Sequence, residues 1–262
     1  MKSVVITGST SGIGYGLADS FLSLGCSLTI SSRSHKNIDI AASKLTNKHV
    51  DNKVFGFPCD VTDCSQVQTL WDAAKEHFGR IDIWINNAGM AHPETEIYNY
   101  VPEKVKQVVE TNIIGAMHGS MVAIKGMLEQ GFGAIYNVEG LGSDGRVIRG
   151  MALYGATKSA LGYLTKAMSK EVQGTPVLVG GIRPGMVATK LITEQYEGHP
   201  EEWERVKEIF NILSDRVETV TPWLAKNILA NSKNGVTISW LSKGKLMRRF
   251  LTAPFHKRHI FD

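Results

Sequence analysis

A tyrosine and a lysine four residues apart carry the clearest chemistry in this sequence. Tyr154 and Lys158 lie in a stretch, residues 153–161, that is typical of the start of a helix. On a helix, residues four apart share a face at a spacing of about 6 Å. A positive charge beside a phenol lowers the tyrosine pKa from about 10. The spacing predicts an acid–base pair that exchanges a proton with a substrate oxygen. A packed ring beside a solvated cation is the alternative.

Alternating strand and helix patterns must position this pair. Runs rich in Val and Ile are separated by helical patterns, which predicts a single-domain α/β fold over residues 1–262, with a doubly wound parallel sheet covered on both faces. Residues 186–215 are predicted to form a flap over the site. The predicted strands are residues 4–7, 28–31, 54–57, 81–85, 134–138 and 177–182, with 236–240 at an edge, and the predicted helices include 38–45, 67–78, 105–127 and 217–230.

A glycine-rich turn lies between the first strand and the first helix. Glycine permits a tight turn and a close backbone approach, and the N–H groups of the following helix can face a pyrophosphate. The turn therefore predicts a dinucleotide site. Its residues are Gly8, Ser9, Thr10, Ser11, Gly12, Ile13 and Gly14.

The end of the second strand distinguishes the two nicotinamide cofactors. A carboxylate there would bind the adenine-side ribose and repel a phosphate, but this chain has Ser32 and Arg33, with Lys36 close by. A hydroxyl and a guanidinium suit a 2′-phosphate. The sequence predicts NADP(H) rather than NAD(H), and the alternative is an exposed arginine at a strand end.

Composition and charge exclude several classes of protein. The 262 residues are 43% hydrophobic and 21% charged, with a net charge of +4 and no apolar run long enough for a membrane span. Three cysteines and eight histidines lack metal-ligand spacing, so we predict reduced thiols and no metal. No nucleic-acid-binding module is recognisable. The chain starts directly with a strand, which predicts a cytoplasmic protein, or a plastid protein if a transit peptide has been removed.

Motifs along nearly the whole chain resemble the short-chain dehydrogenase/reductase family, which implies a Rossmann-type fold. They follow the family's order and spacing. The motifs are the glycine turn at 8–14, Asp60-Val61, Asn86-Asn87-Ala88-Gly89, Asn112, Tyr154-x-x-x-Lys158 and Pro184-Gly185.

The resemblance implies a role for each matching residue. Tyr154 would donate or accept the proton, while Lys158 would hold the nicotinamide ribose and lower the Tyr154 pKa. Asn112 would anchor a water leading to Lys158. The helices that contain Asn112 and Tyr154 would form the face of a homodimer or homotetramer. The remaining cofactor-binding residues would be Asp60 and Val61 at the adenine, Asn87, Ala88 and Gly89 at the ribose, and Pro184, Gly185, Val187 and Thr189 at the nicotinamide.

The sequence departs from the family after the fifth strand. Two serines follow an asparagine in the family, and the second binds the substrate oxygen, but Glu139 and Gly140 stand here. We expect Ser143, on a glycine-flanked loop, to curl back and supply the hydroxyl. Alternatively, Tyr154 acts with only Lys158 and Asn112, or the protein binds cofactor without turnover. Glu139 would either read the substrate or brace the loop.

The same departure resembles the chlorophyll b reductases, as do the segments 184–191, 210–213, 217–220, 238–241, 248–250 and 261–262. This resemblance implies an NADPH-dependent reductase of a carbonyl, with the formyl group of a hydrophobic tetrapyrrole as the candidate substrate. The alternative function is an NADP(H)-binding sensor or scaffold protein with little activity.

The last 23 residues, 240–262, form a tail in which apolar and basic residues are interspersed. One interpretation is a peripheral membrane contact, in which the apolar side chains enter lipid and the basic ones meet anionic head groups. The other, which we favour, is a tail packed across its own domain or a neighbouring subunit. The basic residues are Lys243, Lys245, Arg248, Arg249, Lys257 and Arg258.

Overall fold

A computed structural model describes residues 1–49, 53–196, 198, 200–253, 255 and 257–261. Positions 197 and 199 of the predicted flap and 254, 256 and 262 of the predicted tail lie outside the described residues. The strands are β1 Ser3–Ile6, β2 Ser27–Ser32, β3 Val54–Pro58, β4 Ile83–Asn86, β5 Gly133–Val138, β6 Val177–Arg183, β7 Val187–Ala188, β8 Asp215–Arg216 and β9 Thr237–Ser239. The α-helices are α1 Gly12–Ser23, α2 His35–Lys48, α3 Cys64–Phe78, α4 Pro102–Val109, α5 Gly115–Gln130, α6 Ala152–Glu171, α7 Lys190–Thr193, α8 Pro200–Leu213, α9 Val217–Ala230 and α10 Lys243–Thr252.

Seven strands form one parallel sheet in the order β3-β2-β1-β4-β5-β6-β9, and β7 pairs with β8 outside it. All six pairings within the sheet are parallel. The strand order reverses beside β1, so the carboxyl ends of β1 and β4 flank a crevice, where such sheets bind ligands. The predicted α/β fold with a doubly wound parallel sheet is confirmed.

Both faces of the sheet are buried, as the apolar strands predict. Val4 and Ile6 belong to one buried cluster, while Val5 between them belongs to the other. This alternation follows from the two-residue period of a strand. Because helices cover both faces, the functional groups can only collect at the strand ends.

The predicted 105–127 helix is longer and irregular. It runs from Pro102 through α5, and the π-helical segment Glu110–Ile114 interrupts it at Asn112. Such π-segments occur frequently at functional sites. The predicted α3 cap is present, because the Asp63 carboxylate accepts the backbone N–H groups of Ser65 and Gln66.

The flap and the tail pack against each other. Asp215 accepts hydrogen bonds from Trp240, Arg249 and Arg258, and Phe261 packs on an aromatic cluster of the flap. This arrangement favours the sequence interpretation in which the tail packs across its own domain. Exposed apolar side chains remain on the tail at Met247, Phe250, Leu251 and Phe255. No helix among the described residues is long and apolar enough to cross a membrane.

Candidate active site

One cavity of about 750 Å³ lies at the carboxyl ends of the parallel strands. It brings together residues that are far apart in the sequence, from the glycine turn to the Tyr154 helix. Every predicted cofactor-binding residue except Ser9 lines it. Among the predicted catalytic residues, Tyr154 and Lys158 line it, whereas Asn112 and Ser143 do not.

Two glycines of the turn, Gly8 and Gly14, have no room for a side chain. Gly8 adopts a φ of +61°, and a Cβ there would lie 2.8 Å from the Ala88 Cα. A Cβ on Gly14 would meet both Asn87 Nδ2 and the Gly8 carbonyl. The turn therefore brings bare backbone and the N-terminus of α1 to the cavity wall, as a pyrophosphate site requires.

Ser9 does not face the cavity, which corrects its predicted role in binding the cofactor. Its hydroxyl donates to the Ile6 carbonyl at 2.6 Å and accepts the Ser31 N–H at 2.9 Å. Both hydrogen-bonding functions are thus used to join the turn to β2. The sequence motif identified the turn correctly but could not separate its bracing residue from its lining residues.

The predicted 2′-phosphate residues, Ser32 and Arg33, line the cavity at the carboxyl end of β2. Asp60 lines the same end, and its carboxylate accepts the Thr62 N–H and hydroxyl. These bonds turn the Asp60 carboxylate towards its own loop. Arg33 is thus a basic side chain in the cavity lining next to Ser32.

The acid–base pair lies on the opposite side of the cavity. The Lys158 Nζ donates to the Val138 carbonyl at 2.9 Å and lies 5.8 Å from the centroid of the Tyr154 ring. A Cβ on Gly140 would lie 2.7 Å from the Tyr154 Oη. Gly140 therefore allows the strand end to approach the phenol closely, and β5 holds the lysine in place.

The pKa of Tyr154 differs from the sequence prediction. Burial raises it to about 12, whereas we expected Lys158 to lower it. Burial also lowers the pKa of Lys158 to about 8, opposed by the negative charge of Glu139. The loss of water disfavours the charged phenolate, which is the cause of the raised pKa of Tyr154. In this state Tyr154 is a neutral proton donor.

Two residues that sequence reasoning missed hold the start of the Tyr154 helix. The Tyr154 N–H donates to His92 Nε2 at 3.1 Å, and the Leu153 N–H donates to the Tyr100 hydroxyl at 3.1 Å. One sequence signal could have indicated these partners: Met151, at the N-cap position of α6, makes no side-chain hydrogen bond to the helix N–H groups. The free N–H groups of α6 therefore needed partners from elsewhere.

Asn112 is buried behind the pair and has well-defined partners. Its amide donates to the Met90 carbonyl at 2.9 Å and to the Thr157 hydroxyl at 3.0 Å, and its Oδ1 accepts the Met90 N–H at 2.7 Å. Asn112 thus ties the loop after β4 to α6, next to Lys158. Its role in anchoring a water stays a prediction.

The Ser143 hydroxyl is bonded within its own loop and Ser143 does not line the cavity, so the structure does not support its predicted catalytic role. The hydroxyl donates to the Gly140 carbonyl at 2.7 Å. The Ser143 side chain lies close to α6, since a Cβ added to Gly162 would be 3.3 Å from the Ser143 Cβ. The loop does curl back, but it turns the hydroxyl onto its own backbone.

We expect Ser143→Ala to leave kcat within about twofold of the parent value, because an oxyanion donor is worth about 10²-fold or more and Ser143 is not one. Steady-state kinetics with a saturating carbonyl substrate measures this. A fall of about 10²-fold would restore Ser143 to the mechanism.

Glu139 braces the site through an ion pair that the sequence did not reveal. Its buried carboxylate accepts from Arg183 Nε at 2.6 Å, and Arg183 Nη2 donates to the Ser143 carbonyl at 3.1 Å. Gly181 lies directly against the Glu139 carboxylate. The loop-bracing alternative therefore describes the Glu139 contacts, and Arg183 is an additional cavity residue.

No group of three or more metal-ligating side chains is found among the residues that the structure describes. The parallel sheet, the glycine turn and the paired tyrosine and lysine define a Rossmann-type oxidoreductase that uses a nicotinamide dinucleotide. A model of the short-chain dehydrogenase family matches residues 2–200. The chain belongs to this family.

Similar proteins refine this placement. The chain is 37% identical to chlorophyll(ide) b reductase NOL, chloroplastic, of Oryza sativa subsp. japonica, over 88% of this chain and 67% of the relative. It is 31% identical to probable chlorophyll(ide) b reductase NYC1, chloroplastic, of the same organism, over 100% of this chain and 54% of the relative. The chain thus spans only part of both relatives. The crystal structure of levodione reductase superposes with a TM-score of 0.82 at 25% identity, covering 94% of this chain and 98% of that one. Within the family the chain resembles the chlorophyll b reductase subfamily.

Proposed function

We propose that the protein is an NADPH-dependent reductase of carbonyl groups, and that its substrate is the formyl group of a chlorophyll b-like tetrapyrrole. The observation that carries this proposal is the pairing of Tyr154 with Lys158 in the cavity that also contains the glycine turn. Carbonyl reduction needs a proton donor, and a phenol with a raised pKa keeps its proton at neutral pH.

Different residues of the chain would bind the cofactor, donate the proton and stabilise the phenolate. Bound NADPH would supply the hydride for the carbonyl carbon, and the glycine turn, Ser32 and Arg33 would hold it. Tyr154 would donate its proton to the carbonyl oxygen, which gives an alcohol and a phenolate. Lys158, fixed on Val138, would stabilise that phenolate and help to return the proton.

The far end of the cavity supports a large apolar substrate. Loop 139–151, the flap and the segment after β9 contribute mainly hydrophobic side chains there, which suit a macrocycle. These side chains are Leu141, Ile148, Met151, Leu191, Phe210, Leu213 and Leu241. The names of the relatives, which describe chlorophyll(ide) b reductases, support the same substrate class.

The proposal is tested by NADPH oxidation with chlorophyllide b and with a panel of simpler aldehydes. Conversion of the formyl group to a hydroxymethyl group, detected by absorbance and mass spectrometry, is the expected result. Tight NADPH binding with no turnover of any carbonyl would instead favour the sensor or scaffold alternative. Turnover of simple aldehydes alone would retain the reductase and reject the tetrapyrrole.

The lowered pKa of Lys158 predicts the pH dependence of reduction. The ammonium is present below its pKa of about 8 and is lost above it. We therefore expect kcat to be level on the acid side and to fall as the pH rises through about 8. A pH series at saturating NADPH measures this limb. Lys158→Arg should remove it, because a guanidinium stays charged. If kcat of that variant still falls with rising pH, the titrating group is not Lys158.

We also propose assembly through α5 and α6, as the family resemblance implies. Apolar side chains are exposed on both helices, at Met117, Met121, Leu128 and Tyr163, which supports a homodimer or homotetramer. The relatives are named as chloroplastic proteins. They favour the plastid alternative over the cytoplasm for this chain.

A further inference from the structure

Arg183, the last residue of β6, has a position that the proton transfer and the nucleotide cradle do not explain. Its side chain is 26% exposed and lines the cavity together with Tyr154 and Lys158. A cation at the edge of a mainly apolar substrate end is energetically costly unless it is paired or binds an anion. Its contacts indicate which donors remain for a ligand.

Two hydrogen bonds fix the guanidinium in one orientation. Arg183 Nε donates to the Glu139 carboxylate at 2.6 Å, and Nη2 donates to the Ser143 carbonyl at 3.1 Å. Among the described residues, Nη1 has no hydrogen-bond partner. Because the planar group is held at two points, its remaining donors are already oriented, and binding a ligand would cost little side-chain entropy.

The charge around Arg183 also favours an anion. Glu139 is the buried anion beside two cations, Arg183 and the protonated Lys158. At the neighbouring loop, Arg146 is paired with Asp144. The group of Glu139, Arg183 and Lys158 therefore carries one excess positive charge, while Glu94, which accepts from the Tyr196 hydroxyl, is a further anion in the cavity lining. Lys158 is bonded to Val138 on its buried side, whereas the Arg183 guanidinium is fixed at two points and still has free N–H groups.

We propose that Arg183 binds a carboxylate carried by the substrate and makes the cavity select the free acid over its ester. A guanidinium and a carboxylate form charge-assisted, often bidentate hydrogen bonds that an ester cannot reproduce. A chlorophyllide carries such a carboxylate where a chlorophyll carries an ester. This inference rests on the proposed carbonyl reduction and specifies which form of the tetrapyrrole is reduced.

The test compares two matched pairs of aldehydes: chlorophyllide b with its methyl ester, and 4-formylbenzoate with its methyl ester. The wild-type protein should prefer each acid by about 30-fold in kcat/KM, the value of a hydrogen bond to a charged group. Arg183→Gln should remove this preference through KM, so that each acid and its ester are used with equal kcat/KM. Arg149→Gln is the matched control, because it removes an exposed arginine–carboxylate pair with Glu96 outside the cavity.

Arg183→Gln leaves the buried Glu139 unpaired, so the double variant Glu139→Gln/Arg183→Gln is needed as well. It should fold and show the same loss of acid preference. Equal kcat/KM values for acid and ester in the wild type would overturn the proposal, as would an equal loss for both in the variants. If no carbonyl is reduced, the proposed function fails. In that case the dissociation constants for acid and ester, measured by fluorescence quenching, test Arg183 separately. Tighter binding of the acid that is lost in Arg183→Gln would support the proposal, and equal binding in the wild type would overturn it.

Discussion

Tyr154→Phe is expected to lower kcat for carbonyl reduction by about 10³-fold, within the range that general acid catalysis contributes. The phenol is the proton donor beside the substrate space, and its pKa of about 12 keeps it protonated throughout the working range. Phenylalanine fills the same space but has no proton to donate. Single-turnover and steady-state NADPH oxidation measure the loss.

The contacts of Tyr154 make this substitution a clean test. Among the described residues, its hydroxyl has no hydrogen-bond partner, so its removal leaves no buried group unsatisfied. We therefore expect the melting temperature and NADPH binding to be retained. Tyr98→Phe, at an exposed tyrosine that does not line the cavity, serves as the control. An active Tyr154→Phe protein would exclude Tyr154 as the acid, and a large loss of stability would show a structural role.

Arg33→Asp is expected to weaken NADPH binding by about 10²-fold, because a charge-assisted contact is lost and a repulsive one is introduced. The affinity for NADH should be unchanged or higher, since a carboxylate at this position can accept from the ribose hydroxyls. Dissociation constants from the quenching of protein fluorescence measure both. The combined effect would invert the cofactor preference.

Lys44→Asp is the matched control, because it makes the same charge change on an exposed part of α2 outside the cavity lining. It shows whether a change in affinity comes from a contact of Arg33 or from the net charge of the protein. It should leave the ratio of the two affinities unchanged. Equal affinities for NADPH and NADH in the wild type, unaffected by Arg33→Asp, would show that Arg33 is only an exposed residue at a strand end.

The replacement of the family's serines changes how the substrate oxygen must be held. A Cβ at Gly140 would lie 2.7 Å from the Tyr154 hydroxyl, so even a serine there would require the phenol or the strand end to move. Ser143 turns its hydroxyl onto Gly140. Tyr154 therefore faces the substrate space without a second hydroxyl from this loop.

The linear pattern of residues determined the sheet, the nucleotide turn and the spacing of the acid–base pair. These features are local: alternating apolar runs dictate parallel strands, glycines permit a tight turn, and a four-residue spacing on a helix brings two side chains to one face. For the same reason, the cap at Asp63 and the basic residue at Arg33 were recognisable from short segments.

Tertiary packing decided the protonation of Tyr154, the direction of Ser143, the bracing role of Ser9 and the pairing of Glu139 with Arg183. Each depends on groups brought together from distant parts of the chain. The pKa of Tyr154 reflects how much water the fold excludes, which residue spacing cannot reveal. Glu139 and Arg183 are 44 positions apart and meet only because β5 and β6 are neighbours in the sheet.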